Sequence, residues 1–189
     1  MTTVDAELDP QVWIGLPAQW DETTWTDPRD WARETAEIHW AGRRRRRGEM
    51  SPDHLALTLL MHSENLSGVD FRRTFFWLPD PTVEPMPVHL ECYVAEGDRE
   101  EALRELGRTE PDGAVEPPVV EPFHSPGLGE GVRVIRYVST DEGVVLVLSY
   151  AFRTLDMDVR LWLSTYDTAA ALRVLDGVDD LARSLAVTD

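Results

Sequence analysis

Lysine is absent: all 18 basic residues of this 189-residue chain are arginine. A lysine Schiff base, a lysine general base and a P-loop lysine are therefore excluded. Ala- and Arg-rich usage without Lys is what a high-GC genome, such as an actinobacterial one, produces. Cysteine is almost absent too. Cys92 stands alone, so the chain forms no intramolecular disulfide and no thiolate metal cluster. Positive charge is scarce beside negative, and the formal net charge is −17. That balance disfavours nonspecific binding to nucleic acid and to anionic membranes. No apolar run approaches the roughly 20 residues of a membrane span. The opening Met1-Thr2-Thr3-Val4-Asp5-Ala6-Glu7 has neither the basic nor the apolar region of a signal peptide, which makes the cytoplasm the expected location.

Catalytic signatures are equally sparse. There is no HExxH, GxSxG, Rossmann GxGxxG or EF-hand loop. His54 and His62 are eight residues apart, too far along a helix to share one ion. Gly127-Leu128-Gly129-Glu130-Gly131 lacks the strand-then-helix setting of a phosphate loop. Glu100-Glu101 and Asp179-Asp180 are expected on exposed helix faces. No metal and no cofactor is implied, and no catalytic residue is assigned.

The clearest structural signal lies in the last third. Residues 132–138, 144–152 and 157–164 read as three strands. Val132, Val134 and Val138 share one face with Arg136, while Arg133, Ile135 and Tyr137 share the other. Asp141-Glu142-Gly143 reads as a turn. Residues 144–152 are nearly continuously apolar, as for a strand covered on both sides. Short connections favour antiparallel neighbours. A helix follows over 168–185, with Asp167 as its N-cap. Leu172, Leu175, Val178 (or Leu181) and Leu185 form its expected apolar stripe.

Upstream, residues 1–10 read as a flexible N-terminus and 11–189 as one domain. Residues 11–16 read as a strand ended by Pro17. Asp27-Pro28 announces a helix carrying Trp31, Thr35 and Ile38 along one side. Ser51-Pro52-Asp53 announces a second helix with Leu55, Leu59, His62 and Leu66 at helical spacing. The alternation of Leu55, Leu57, Leu59 and Met61 leaves a strand as the alternative. Residues 71–78 and 87–95 read as strands, the second carrying Cys92 as a packed thiol. Asp98 or Gly97 caps a short helix. Residues 107–131 read as a long irregular stretch, either functional and mobile or wrapped over the core by Val119, Val120 and Phe123. The order is β-α-α-β-β-α, a loop, then β-β-β-α. It predicts an α+β fold, mainly an antiparallel sheet with helices packed on it.

Leu16-Pro17-Ala18-Gln19-Trp20, after the first strand, resembles the LP-x-x-W opening of PsbP-like and LpqN-like α/β sandwich domains. The closing strands and Leu181-Ala182-Arg183-Ser184-Leu185 are similar to that group as well. The resemblance implies an accessory or binding role; its secreted members carry a leader that is missing here.

Two features stand out as candidate contact sites. Arg43, Arg44, Arg45, Arg46 and Arg47 follow one another between Gly42 and Gly48. Such a run is either a solvated loop that neutralises nearby carboxylates, a contact for an acidic protein or a second copy, or a nucleic-acid site. No nucleic-acid fold motif accompanies it. The second feature is aromatic. Five tryptophans fall in the first 40 residues; Trp13 and Trp31 are expected in the core. Trp20, Trp25 and Trp40 are candidates for a groove or an interface. The expected function is a noncatalytic protein-interaction or accessory role. The alternative is a small-molecule-binding domain, or an unrecognised enzyme, with a pocket lined by these tryptophans.

Overall fold

The computed structural model describes residues 3–17, 20, 24–66, 72–111 and 113–188. Among them the chain runs β1 (Thr3–Ala6), β2 (Trp13–Gly15), α1 (Pro28–Trp40), α2 (Pro52–Leu66), β3 (Arg72–Trp77) and β4 (Met86–Val94). It continues through α3 (Arg99–Gly107), β5 (Val119–Ser125), β6 (Gly129–Thr140), β7 (Gly143–Arg153), β8 (Met157–Thr165), α4 (Thr168–Ser184) and β9 (Leu185–Thr188). The fold is α+β, with antiparallel sheet and helices packed on it. The chain clusters into two compact units, Asp9–Pro87 and the remainder, where length alone argues for one domain.

In the smaller unit β2 and β3 pair antiparallel, with Ile14 opposite Phe76. Asp27 caps α1 by accepting from the Arg29 N–H at 2.7 Å, and Pro28 starts the helix. Trp31, Ala32, Ala36 and Trp40 from α1 meet Leu55 and Leu59 from α2 in one core with Ile14, Phe76 and Leu78. Residues 52–66 are helix, so the strand alternative is excluded; Leu57 and Met61 accordingly face outward. Ile38 is 65% exposed: the buried residues 31, 32, 35, 36 and 40 define the inward side, and position 38 falls beyond its edge, next to Trp31. Phe71 lies outside the described residues.

In the larger unit the strand order is β4-β8-β7-β6-β5, every neighbour antiparallel. The two-residue β6–β7 turn holds Thr140 opposite Gly143, as the Asp141-Glu142-Gly143 signal predicts. Arg133 and Arg136 are three positions apart on β6, so strand alternation puts them on opposite faces. Helix α4 packs on the Arg133 face and α3 on the Arg136 face. That double cover explains why β7 is apolar almost throughout.

Three expectations need correction. Residues 119–125, placed within an irregular stretch, form β5 against β6, with Val119 opposite Ile135 and Ser125 opposite Gly129. Pro122 hides the strand from a propensity reading, yet an edge strand tolerates a residue with no N–H to offer. Only Phe123 of its three expected anchors is buried; Val119 and Val120 are exposed. Residues 3–6, placed in a flexible tail, form β1, which pairs with β9 and buries Val4. On α4 the buried stripe is Ala171, Val174, Val178, Leu181 and Ala182. Leu172 is exposed and Leu175 half-buried. The helix is turned by one position, which brings Asp179 onto the sheet.

Candidate functional site

The arginine run is an ordered turn. It leaves α1 through Gly42 at φ +74° and closes at Gly48 at φ +90°, conformations that glycine adopts without a Cβ clash. Glu49 organises it: its carboxylate accepts from the Arg46 N–H at 2.6 Å, and its carbonyl accepts from Arg45 Nε at 3.2 Å. Arg43 reaches Asp80 at 3.3 Å. Asp80 also accepts from the Thr82 N–H, which, with Arg43 as a smaller cause, holds its carboxyl below the usual value. All five arginines are exposed. Arg43 and Arg45 tether the loop, while the side chains of Arg44, Arg46 and Arg47 have no partner among the described residues.

The tryptophans are placed differently. Trp13, Trp31 and Trp40 are buried; Trp40 therefore belongs to the helical core. Trp20 and Trp25 are partly buried against that core. Trp20 meets the edge of Trp31 with ring centroids 5.9 Å apart. The Trp25 indole donates to Glu34 at 2.6 Å. The structure thus gathers Trp20, Trp25, Trp31 and Trp40 around one core, with Trp13 buried outside that cluster, and leaves the arginines on the surface.

A third feature is invisible in the sequence. Helix α3 starts at Asp98, whose carboxylate accepts from the N–H groups of Glu100 and Glu101 and is held below its ordinary pKa by them. It ends at Arg108, left-handed at φ 51°, whose carbonyl accepts from the buried Arg136 at 3.0 Å. Ala102 and Leu103 face the sheet, while Glu101, Arg104 and Glu105 stay exposed. Two recesses border this helix and share Glu101, Glu105 and Arg108 in their linings. The first, about 560 Å³, has Arg136, Val138 and Val147 as its floor. The second, about 590 Å³, is bounded by Tyr93, Asp158 and Arg160. Its lining is acid-rich: Glu96, Asp98, Glu101, Glu105 and Asp158 face Arg108 and Arg160. Asp158 is bound to Arg153. The exposed carboxylates of Glu96, Glu101 and Glu105 carry no ion pair among the described residues.

The opposite face carries a buried polar cluster. Tyr150 donates to Asp179, and Arg133 grips the same carboxylate at 3.0 and 2.9 Å. Arg133 also reaches Glu121 at 2.6 Å. Burial, then the Asp179 hydrogen bond, pushes the Tyr150 phenol far above its ordinary value. The cluster ties α4 to β5, β6 and β7.

The chain matches no protein-family model and no curated protein. Among solved structures it is similar to the Saccharomyces cerevisiae Ran-binding protein Mog1p, with a TM-score of 0.41 and 14% identity. The match covers 67% of this chain and 85% of that one.

Of the residues singled out from sequence, only Arg43 to Arg47 form a continuous exposed site. The α3 grooves escaped because their linings come from α3, β4, β6, β7 and β8, none of which carries a compact motif. Asp179 escaped because Asp179-Asp180 reads as a solvated acidic pair; the structure buries Asp179 and exposes Asp180. The signal was Arg133 and Tyr150, polar residues within otherwise apolar strands.

Proposed function

We propose that the chain is a noncatalytic cytoplasmic interaction or accessory protein that docks an acidic protein surface through Arg43–Arg47. The observation that carries this reading is the division of labour in the loop. Arg43, Arg45 and Glu49 hold its shape, leaving the side chains of Arg44, Arg46 and Arg47 exposed and without a partner among the described residues. A guanidinium offers a planar fork of donors that matches a carboxylate, and ordering the loop in advance lowers the entropy cost of binding. Membership among PsbP-like or LpqN-like domains belongs to the same proposal, supported by the LP-x-x-W residues. No helix of the described residues is long and apolar enough to cross a membrane.

The test is recovery of partners from the native host by the unaltered chain and by a variant with Arg44, Arg46 and Arg47 changed to Ser. A partner held at about 0.1 M salt, released at about 1 M and lost in the variant is expected, because screening shortens to about 3 Å at the higher salt. Identical recovery by both proteins overturns the reading. Cell fractionation checks the cytoplasmic setting.

A further inference from the structure

We infer that the acidic surface met by the arginine loop is α3 of a second copy of this chain. Arg44, Arg46 and Arg47 of one copy dock on Glu101, Glu105 and Glu96 of the next. The inference rests on the reading of the loop as a docking element and names its partner.

The two surfaces complement each other in charge. Glu101 and Glu105 lie four residues apart on α3 and so share one side of the helix, about 5–6 Å apart at Cβ. Arg44 and Arg46 lie two residues apart on a loop whose intervening Arg45 is tied back to Glu49. Two exposed guanidinium forks are thus available for two carboxylates, each pair able to form a bidentate contact. The carboxylates also border a recess of about 590 Å³, which gives the long arginine side chains a concave seat. The loop carries five positive charges in a chain whose net charge is −17, so local and global electrostatics oppose one another. At about 0.1 M salt, attraction and repulsion are both screened beyond about 10 Å. The facing charges then decide the outcome, and the distant excess negative charge contributes little.

The contact joins two different surfaces, loop and helix. Copies exchange it reciprocally as a symmetric pair or add head to tail into a ring or an open chain. Exposed ion pairs are individually weak, so association should appear only at high protein concentration.

Sedimentation velocity of the purified full chain tests this over a concentration series at about 0.1 M and about 1 M salt. Three further samples are needed: R44E/R46E/R47E, E96R/E101R/E105R, and their equimolar mixture. Where the triple helix variant fails to fold by circular dichroism, E105R alone replaces it. The unaltered chain should associate at the lower salt and revert to monomer at the higher. Each reversal should weaken association by at least about tenfold, and the mixture should recover it, because a reversed loop then meets a reversed helix. A monomer at every concentration, association indifferent to the reversals, or a mixture that stays monomeric overturns the inference. Binding of poly-L-glutamate separates the two readings. A monomeric chain that still binds it through the loop loses the second copy as partner and keeps the docking role; binding indifferent to the loop removes both.

Discussion

Tyr150 donates its phenolic hydrogen to the carboxylate of Asp179 across 2.6 Å, joining the middle of β7 to α4. The bond is buried, and Arg133 supplies the compensating charge. Tyr150→Phe should cost about 1.5–3 kcal/mol, the range for a hydrogen bond to a charged group. Asp179→Ala should cost more, because it strands both the hydroxyl and part of the Arg133 guanidinium. Urea denaturation of the two single variants and the double variant checks the link. A coupling of about 0.5–3 kcal/mol is expected, and strict additivity would show that the bond contributes nothing.

Two groups give the pH dependence opposite signs. His62, half-buried against Phe76, has its pKa lowered by burial, with Glu84 partly opposing. Its unfolded form takes up a proton near 6.5 while the folded form resists. Stability is therefore present above that value and falls as pH drops through the lower folded pKa. Tyr150 is raised above 10.0, so its contribution is intact below that value and is lost as pH rises beyond it. Thermal melts from about pH 5 to 11 should show His62→Gln flattening the acidic limb and Tyr150→Phe the alkaline limb. A His62→Gln protein with an unchanged acidic limb would remove His62 as a cause.

The tryptophan cluster should behave as core. Trp31→Ala should cost about 3–5 kcal/mol, as for truncation of a fully buried large aromatic. Trp20→Ala loses an edge contact worth about 0.5–1.5 kcal/mol beyond its buried area. Trp25→Phe loses an exposed bond to Glu34 and should cost less than Trp20→Ala. Chemical denaturation ranks the three, and a Trp31→Ala protein of unaltered stability would contradict the packing described.

On the edge strand, Phe123 stands with its ring 4.9 Å from that of Tyr150, and the Arg183 guanidinium lies over the Phe123 ring at 5.1 Å. Phe123→Ala should cost about 3–5 kcal/mol. Val119→Thr and Val120→Thr, on exposed positions, should stay within about 0.5 kcal/mol. The contrast is measurable by equilibrium unfolding. Equal losses at the three positions would place the strand differently.

Local chemistry made much of this fold legible. Asp27-Pro28, Asp98 and Asp167 announce helix starts because capping involves neighbours a few residues away, and the alternation of residues 132–138 and 157–164 with the apolar run 144–152 between them announces strands. What escaped depends on distant partners. Pro122 suppresses the strand signal of β5, whose existence rests on pairing with β6. The phase of α4 is set by Asp179 finding Tyr150 and Arg133, residues 29 and 46 positions away. The arginine loop was legible because a run of like charge must seek solvent. The α3 recess was not, since its walls come from separate strands that share no motif.

The pairing of β1 with β9 also sets how the molecule yields to force. Thr3 lies opposite Thr188, their hydroxyl oxygens 2.9 Å apart. Traction applied at those two residues acts across the ribbon, so the backbone bonds are loaded one pair at a time, Thr3–Thr188 first and Ala6–Leu185 last. The ribbon opens like a zipper under small tension, and each pair that parts lengthens the tether before the main sheet bears load.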